Sequence, residues 1–265
     1  MDERAKIRVV GVSYDAKSSY LGGAAQAPGR IREEILSTAY NPYAESVRNV
    51  VDSALSWGPI LRPGSYQEIF SMAAAILAEG ERCVFIGGDH SISYPLIQAV
   101  HRHFGRFHVL HFDAHGDLYD QLDNDRFSHA CPFARIMESG LVESLTQVGI
   151  RTMTPHQVEQ AKRFNVRVIT MQDLAGFDPA SLPGPLYLSV DIDALDPAFA
   201  PGVSHREPGG LDPVTLIRWI QSLSQPVIGA DLVEYNPLQD CRGITATLCY
   251  KLIKELVDTM TRVSG

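Results

Sequence analysis

Eight short runs rich in apolar and β-branched residues punctuate this chain: Ile7 to Val12, Val50 to Leu55, Arg82 to Ile86, Phe107 to Phe112, Leu145 to Ile150, Val166 to Thr170, Pro185 to Asp191 and Pro226 to Leu232. Each is too short for an ordinary helix and reads as a strand apolar on both faces. Segments with apolar residues at helical spacing lie between most of them: Pro28 to Leu36, Tyr66 to Glu79, Tyr94 to Phe104, Pro132 to Ser139, Pro155 to Phe164, Pro213 to Leu223 and Ile244 to Thr261. Strands apolar on both faces need helices on both sides. The expected fold is therefore α/β, a three-layer α/β/α sandwich around a mostly parallel eight-stranded sheet. No repeat, linker or composition break divides residues 1–265, and 45% hydrophobic content suffices for one domain burying roughly three quarters of its unfolded surface.

Chemistry-bearing residues gather where such strands end. His90 follows the third run in Gly-Gly-Asp-His, Asp113 follows the fourth in Asp-Ala-His-Gly-Asp, Asp191 ends the seventh in Asp-Ile-Asp, and Glu234 follows the eighth. Open parallel sheets bind ligands at the carboxyl ends of their strands. Asp113, His115 and Asp117, like Asp191 and Asp193, stand two apart, so their side chains can project toward one point from a strand end. Four carboxylates gathered there would repel by about 4 kcal/mol per pair at roughly 4 Å and an effective dielectric near 20. Summed over pairs, that rivals a domain's whole stability of about 5–15 kcal/mol. Unless some of them protonate, cations are needed, and two divalent ions match four carboxylates better than one.

Other candidates take plainer roles. Asp89 is expected to orient the His90 ring or brace its loop, with Gly87 and Gly88 allowing close backbone approach. Asp196, before Pro197, orders a turn. His108 and His111 lie inside an apolar strand on opposite faces and read as structural or supporting groups, while His101, His103 and His156 meet solvent. The longest irregular stretches, Asp113 to Cys131 and Asp193 to Gly210, are long enough to be functional loops. Cys83, Cys131, Cys241 and Cys249 have no C-x-x-C spacing and read as reduced, mostly buried thiols, Cys131 included. The charged start, Met1 to Lys6, and the lack of a run of about 20 apolar residues argue against export or membrane insertion and for a cytoplasmic location. The formal charge of -8, with no Lys/Arg cluster, argues against nucleic acid and favours a cationic substrate.

Gly-Gly-Asp-His-Ser, His-Phe-Asp-Ala-His-Gly-Asp, Ser-Val-Asp-Ile-Asp-Ala-Leu-Asp-Pro and Asp-Leu-Val-Glu-Tyr-Asn-Pro occur in this order. Together they resemble the ureohydrolases, the binuclear manganese enzymes that include arginase and agmatinase, over nearly the whole chain. The resemblance implies two Mn2+ per chain: His90 and Asp117 on one, His115 and Asp193 on the other, Asp113 and Asp191 bridging. Mixed oxygen and imidazole ligands suit Mn(II). It also implies an eight-stranded parallel core and a homo-oligomer, a trimer or hexamer.

Two metals sharing a water lower its pKa from about 15.7 toward 7, which supplies a nucleophile without Ser or Cys. Glu234 matches the family glutamate that holds a guanidinium, whose planar fork pairs with a carboxylate. Attack on the guanidinium carbon, with Asp117 relaying a proton to the leaving nitrogen, would release urea and an amine. His129 occupies the family position for a histidine at the active-site mouth and would shuttle protons.

For the substrate, Leu118-Tyr119 stands where arginases carry an Asn two residues beyond the Asp-x-His-x-Asp run. Gln147-Val148-Gly149-Ile150-Arg151 and Ser128-His129-Ala130 are similar to agmatinases, which makes agmatine, cleaved to urea and putrescine, the expected substrate. Guanidinobutyrate, guanidinopropionate, arginine and guanidine are the alternatives, and a non-catalytic metal-binding protein a more distant one. Asp120, Asp123 and Asp125 would either attract a distal ammonium or form a solvated acidic loop. His205 departs from the family, which often has Thr there.

Overall fold

The structure is a computed structural model that describes residues 6–37 and 41–263; most of the charged N-terminal run lies outside them. Eight strands, β1 (Ile7–Val12), β2 (Leu55–Leu61), β3 (Arg82–Ile86), β4 (His108–Phe112), β5 (Ser144–Ile150), β6 (Arg167–Thr170), β7 (Leu186–Asp191) and β8 (Val227–Val233), form one sheet in the order β2-β1-β3-β8-β7-β4-β5-β6. Every pairing is parallel. The central strands β7 and β8 are buried along their whole length, as continuous apolar runs require.

Helices α1 (Ala27–Ile35), α2 (Val50–Ser53), α7 (Pro213–Ser222) and α8 (Ile244–Arg262) close one face over a core that includes Ile31, Val50, Leu216 and Leu256. On the other face, α3 (Glu68–Leu77), α4 (Ser93–Phe104), α5 (Pro132–Glu138) and α6 (Pro155–Arg163) bury Ile69, Leu96, Phe133 and Ala161. Local chemistry marks their starts. Thr154 and Gln157 form a reciprocal capping box on α6, and Asp212 caps α7.

One expected strand is misplaced. Val50 to Leu55 is not a strand: Val50–Ser53 is a helical turn capped by Asn49, and the strand starts at Leu55. Its Gly58 and Pro59 disguise it, yet both suit β2, an edge strand where a missing ladder N–H is tolerated.

The chain leaves β3 and re-enters the sheet at β4, and only later fills the gap with β7 and β8. These four central strands deliver the segments that carry His90, Asp113, Asp191 and Glu234 to one end of the sheet. A crevice at such a switch in strand order is where an open α/β sheet receives its ligand.

Candidate active site

His90 is fully buried just beyond β3, and the two glycines before it make that placement possible. A Cβ on Gly88 would lie 1.5 Å from the Tyr14 carbonyl oxygen, and one on Gly87 would lie 1.9 Å from Ile92 Cδ1. Asp89 does not touch the His90 ring. It braces the loop instead, accepting from Ser91 N at 3.0 Å and from Lys17 N at 2.9 Å.

Three carboxylates converge on one nitrogen. His90 Nδ1 is 3.2 Å from Asp113 Oδ2, 3.1 Å from Asp117 Oδ2 and 3.0 Å from Asp191 Oδ2. A second group adjoins the first, where His115 Nδ1 lies 3.0 Å from Asp193 Oδ2 and 3.4 Å from Asp113 Oδ1. Asp113 thus belongs to both groups, one oxygen to each. Asp191 joins the first through Oδ2, while its Oδ1 accepts from Asp193 N at 2.7 Å. The same local closure recurs at Asp113, whose Oδ1 accepts from His115 N at 2.6 Å, so each Asp-x-His or Asp-x-Asp run fixes its first carboxylate on its own backbone.

These groups fit metal ions. His90 Nδ1 is buried with no hydrogen-bond partner, a costly state for a polar atom. Ligands about 2.1 Å from an octahedral ion stand about 3 Å from one another, close to the spacing observed at both groups. Without cations, the cluster is balanced by protons. Burial alone would lower the basicity of His90, but Asp113, Asp117 and Asp191 raise it well above the ordinary imidazole range. Burial, Asp193 and Asp113 hold the Asp191 carboxyl well above its own. His115, against its burial, is raised by Asp193 and Asp113.

Five supporting residues, His111, Gln147, Ser189, Asp231 and Tyr187, lie behind the cluster. His111, on β4, meets Asp113 Oδ2 through Nε2 at 2.8 Å, while Gln147 Nε2 stands 3.0 Å from His111 Nδ1 and donates to the Gly116 carbonyl at 2.6 Å. With Nδ1 accepting, the Nε2 proton points at Asp113, a supporting role as expected. Ser189 and Asp231 open two of the motifs that carry the family resemblance, yet neither is among the expected functional residues. Ser189 Oγ sits 3.1 Å from His90 Nε2 and donates to Asp231 Oδ1 at 2.6 Å, and Tyr187 donates to Asp231 Oδ2. Their alternation along buried strands, which turns a polar side chain into the core, was the available clue.

Glu234 is buried in a left-handed conformation at φ 62, and Asp117 at φ 48; non-glycine residues so held concentrate at functional sites. Glu234 Oε1 accepts from His90 N at 2.8 Å and faces His129 Nδ1 at 3.3 Å. His129 Nε2 meets Ser19 Oγ at 2.9 Å. Burial would depress this imidazole, but the Glu234 carboxylate overrides it and lifts the pKa to about 9.

The loop from Asp193 to Gly210 is clamped beside the cluster and tied to the Leu21 segment. Arg151 donates to the Asp193 carbonyl at 2.6 Å and the Glu207 carbonyl at 2.7 Å. Asn236 Nδ2 donates to the Leu21 carbonyl at 2.7 Å and to Ser204 Oγ at 3.0 Å. Asp196 orders its turn by accepting from Ala198, Gly209 and Gly210 N–H groups. Cys131 is a buried thiol pushed up to about 12, mainly by burial, which disfavours the thiolate that a nucleophile requires.

The cluster floors a cavity of about 220 Å³ that reaches outward between Ser19, Tyr119, Leu122, Thr152, Thr154 and Gln157. Asp120, Asp123 and Asp125 are not among its lining residues, so they do not form an acidic wall for a distal ammonium. Their loop folds back on its neighbours: Asp120 accepts from Gln160 at 2.7 Å, Asp125 pairs with Lys17 at 2.6 Å, and Asp123 is exposed.

Residues 5–258 match the arginase family. This chain belongs to it. Arginase 1, mitochondrial, of Arabidopsis thaliana is 37% identical over 98% of this chain and 82% of its own length. The guanidino acid hydrolase, mitochondrial, of Homo sapiens is 34% identical over 96% and 78%. The solved arginase from Medicago truncatula superposes with a TM-score of 0.90 at 37% identity, covering 97% of this chain and 88% of that one. Proteins of this family are metal-dependent hydrolases, and this one is an enzyme of that kind. None of the described helices is long and apolar enough to cross a membrane.

Proposed function

We propose that this enzyme cleaves the guanidinium group of agmatine to urea and putrescine with two Mn2+ per chain, held by His90, Asp113, Asp117, Asp191, Asp193 and His115. The observation that carries the reading is the position of Glu234: a buried carboxylate lining the same cavity as both groups of candidate ligands. When bound, the two ions would acidify a water into the nucleophile. Glu234 would accept two guanidinium N–H bonds and hold the carbon over the cluster. Asp117 would hydrogen-bond the nucleophile and carry its proton to the leaving nitrogen. His129, between Glu234 and Ser19, would pass protons toward the mouth.

Agmatine is favoured over arginine by what the outer wall lacks. Tyr119, Leu122, Thr152, Thr154 and Gln157 offer no Lys or Arg to a carboxylate, and an unpaired buried carboxylate costs free energy. Arginine is the second reading. Its specific support is the arginase name of relatives at 37% identity, together with hydroxyls on Ser19, Thr152 and Thr154 that can donate to a carboxylate.

The test is urea release by the manganese-loaded protein from agmatine, arginine, guanidinobutyrate and guanidinopropionate. Agmatine should show a specificity constant at least about tenfold above arginine, the scale of one unpaired polar group. A higher constant for arginine selects the second reading, and no urea from any of them defeats both. One domain, assembled as a trimer or hexamer, completes the proposal; light scattering measures the assembly. The buried free thiols suit a reducing compartment such as the cytoplasm.

A further inference from the structure

His205 stands apart from the ligands and from Glu234, yet it lines their cavity. Its ring stacks on His129 with centroids 5.2 Å apart and planes at 22°. Tyr20, which is 57% exposed, packs against it from outside at 5.6 Å, and the edge of His115 approaches at 6.1 Å from inside. The backbone on either side is pinned, since Ser204 donates to the Leu21 carbonyl at 2.8 Å and Arg206 to the Pro201 carbonyl at 3.0 Å. A ladder of rings, Tyr20, His205 and His129, thus runs from solvent to the carboxylate that would receive the substrate cation.

We propose that His205 is a specificity-determining residue, its ring forming the wall against which a planar guanidinium is held while Glu234 takes the N–H edge. A guanidinium is a flat, weakly hydrated cation whose edges donate hydrogen bonds and whose faces stack on rings. Glu234 satisfies an edge and leaves the faces to the surrounding wall. His205 supplies a ring there through the part of its surface that lines the cavity, beside its contacts with His129 and Tyr20. A tetrahedral ammonium has no face to stack, so the wall discriminates between the guanidinium end of a substrate and its amine end.

This rests on the guanidino-hydrolase reading, and the two fail separately. Inhibition constants for methylguanidinium and putrescine are measured on the manganese-loaded parent and on His205→Thr and His205→Phe, alongside metal content and the substrate KM and kcat. His205→Thr should weaken methylguanidinium and raise KM by about tenfold, within the range of one ring–cation contact. Putrescine inhibition, kcat and bound metal should stay within about twofold, and His205→Phe should restore methylguanidinium binding. Equal losses for methylguanidinium and putrescine, no loss in His205→Thr, or a Phe variant as weak as the Thr variant would each overturn the assignment. A parent that turns over no guanidino compound defeats the underlying reading instead.

Discussion

Ser189 Oγ lies 3.1 Å from His90 Nε2 and donates its single proton to Asp231 Oδ1 at 2.6 Å. The hydroxyl can therefore only accept from the imidazole, so Nε2 keeps its proton and the Nδ1 proton, held among Asp113, Asp117 and Asp191, is the one an ion would displace. A buried serine and aspartate thus select the tautomer that a metal requires.

Ser189→Ala and Asp231→Asn should each weaken manganese binding by about 10–100-fold, the usual effect of removing a partner of a metal-bound histidine. Saturating manganese should restore most of the turnover. Calorimetric metal titration checks this, and unchanged affinity in both variants would remove the tautomer role.

Asp113 gives one oxygen to each ligand group. Asp113→Asn should therefore lose both ions, whereas His115→Ala should keep about one, because a shared ligand serves both sites. Elemental analysis after dialysis distinguishes them. Equal metal content in the two variants would contradict the bridge.

Glu234→Gln should lower the specificity constant by at least about 100-fold through loss of a charge-assisted fork, with metal content near parental. The amide oxygen can still accept from His90 N, so the loop should persist. Loss of metal would instead place Glu234 among the ligands.

The metal-free protein should lose thermal stability as pH rises. His129, against its burial, is held at about 9 by Glu234, above the roughly 6.5 of a free imidazole. That stabilisation is complete below the unfolded value and disappears as pH climbs through about 9. Asp89, pushed up to about 7 by burial and Glu234, acts in the same direction, because the folded state retains a proton that the unfolded chain has released. Thermal unfolding across this range, with His129→Phe as control, provides the check. The control should flatten the upper part of the slope, and a parent whose stability rises with pH would show the balance to be wrong.

The sequence by itself determined the sandwich and the site's address. Continuous β-branched runs such as Leu186 to Asp191 can only be buried on both faces, and His90, Asp113, Asp191 and Glu234 each follow or end such a run. Those signals are local: they depend on residue type and on spacings of two to four. What only the tertiary structure decided depends on contacts across the chain. His90 meets Ser189 from 99 positions away and Glu234 from 144, distances over which periodicity carries no information. Likewise, nothing in Asp120 and Asp125 announces that Gln160 and Lys17 would claim them, which removed the acidic wall they had suggested. The stack of His205 on His129 joins two separate loops and exists only once both have closed over the sheet.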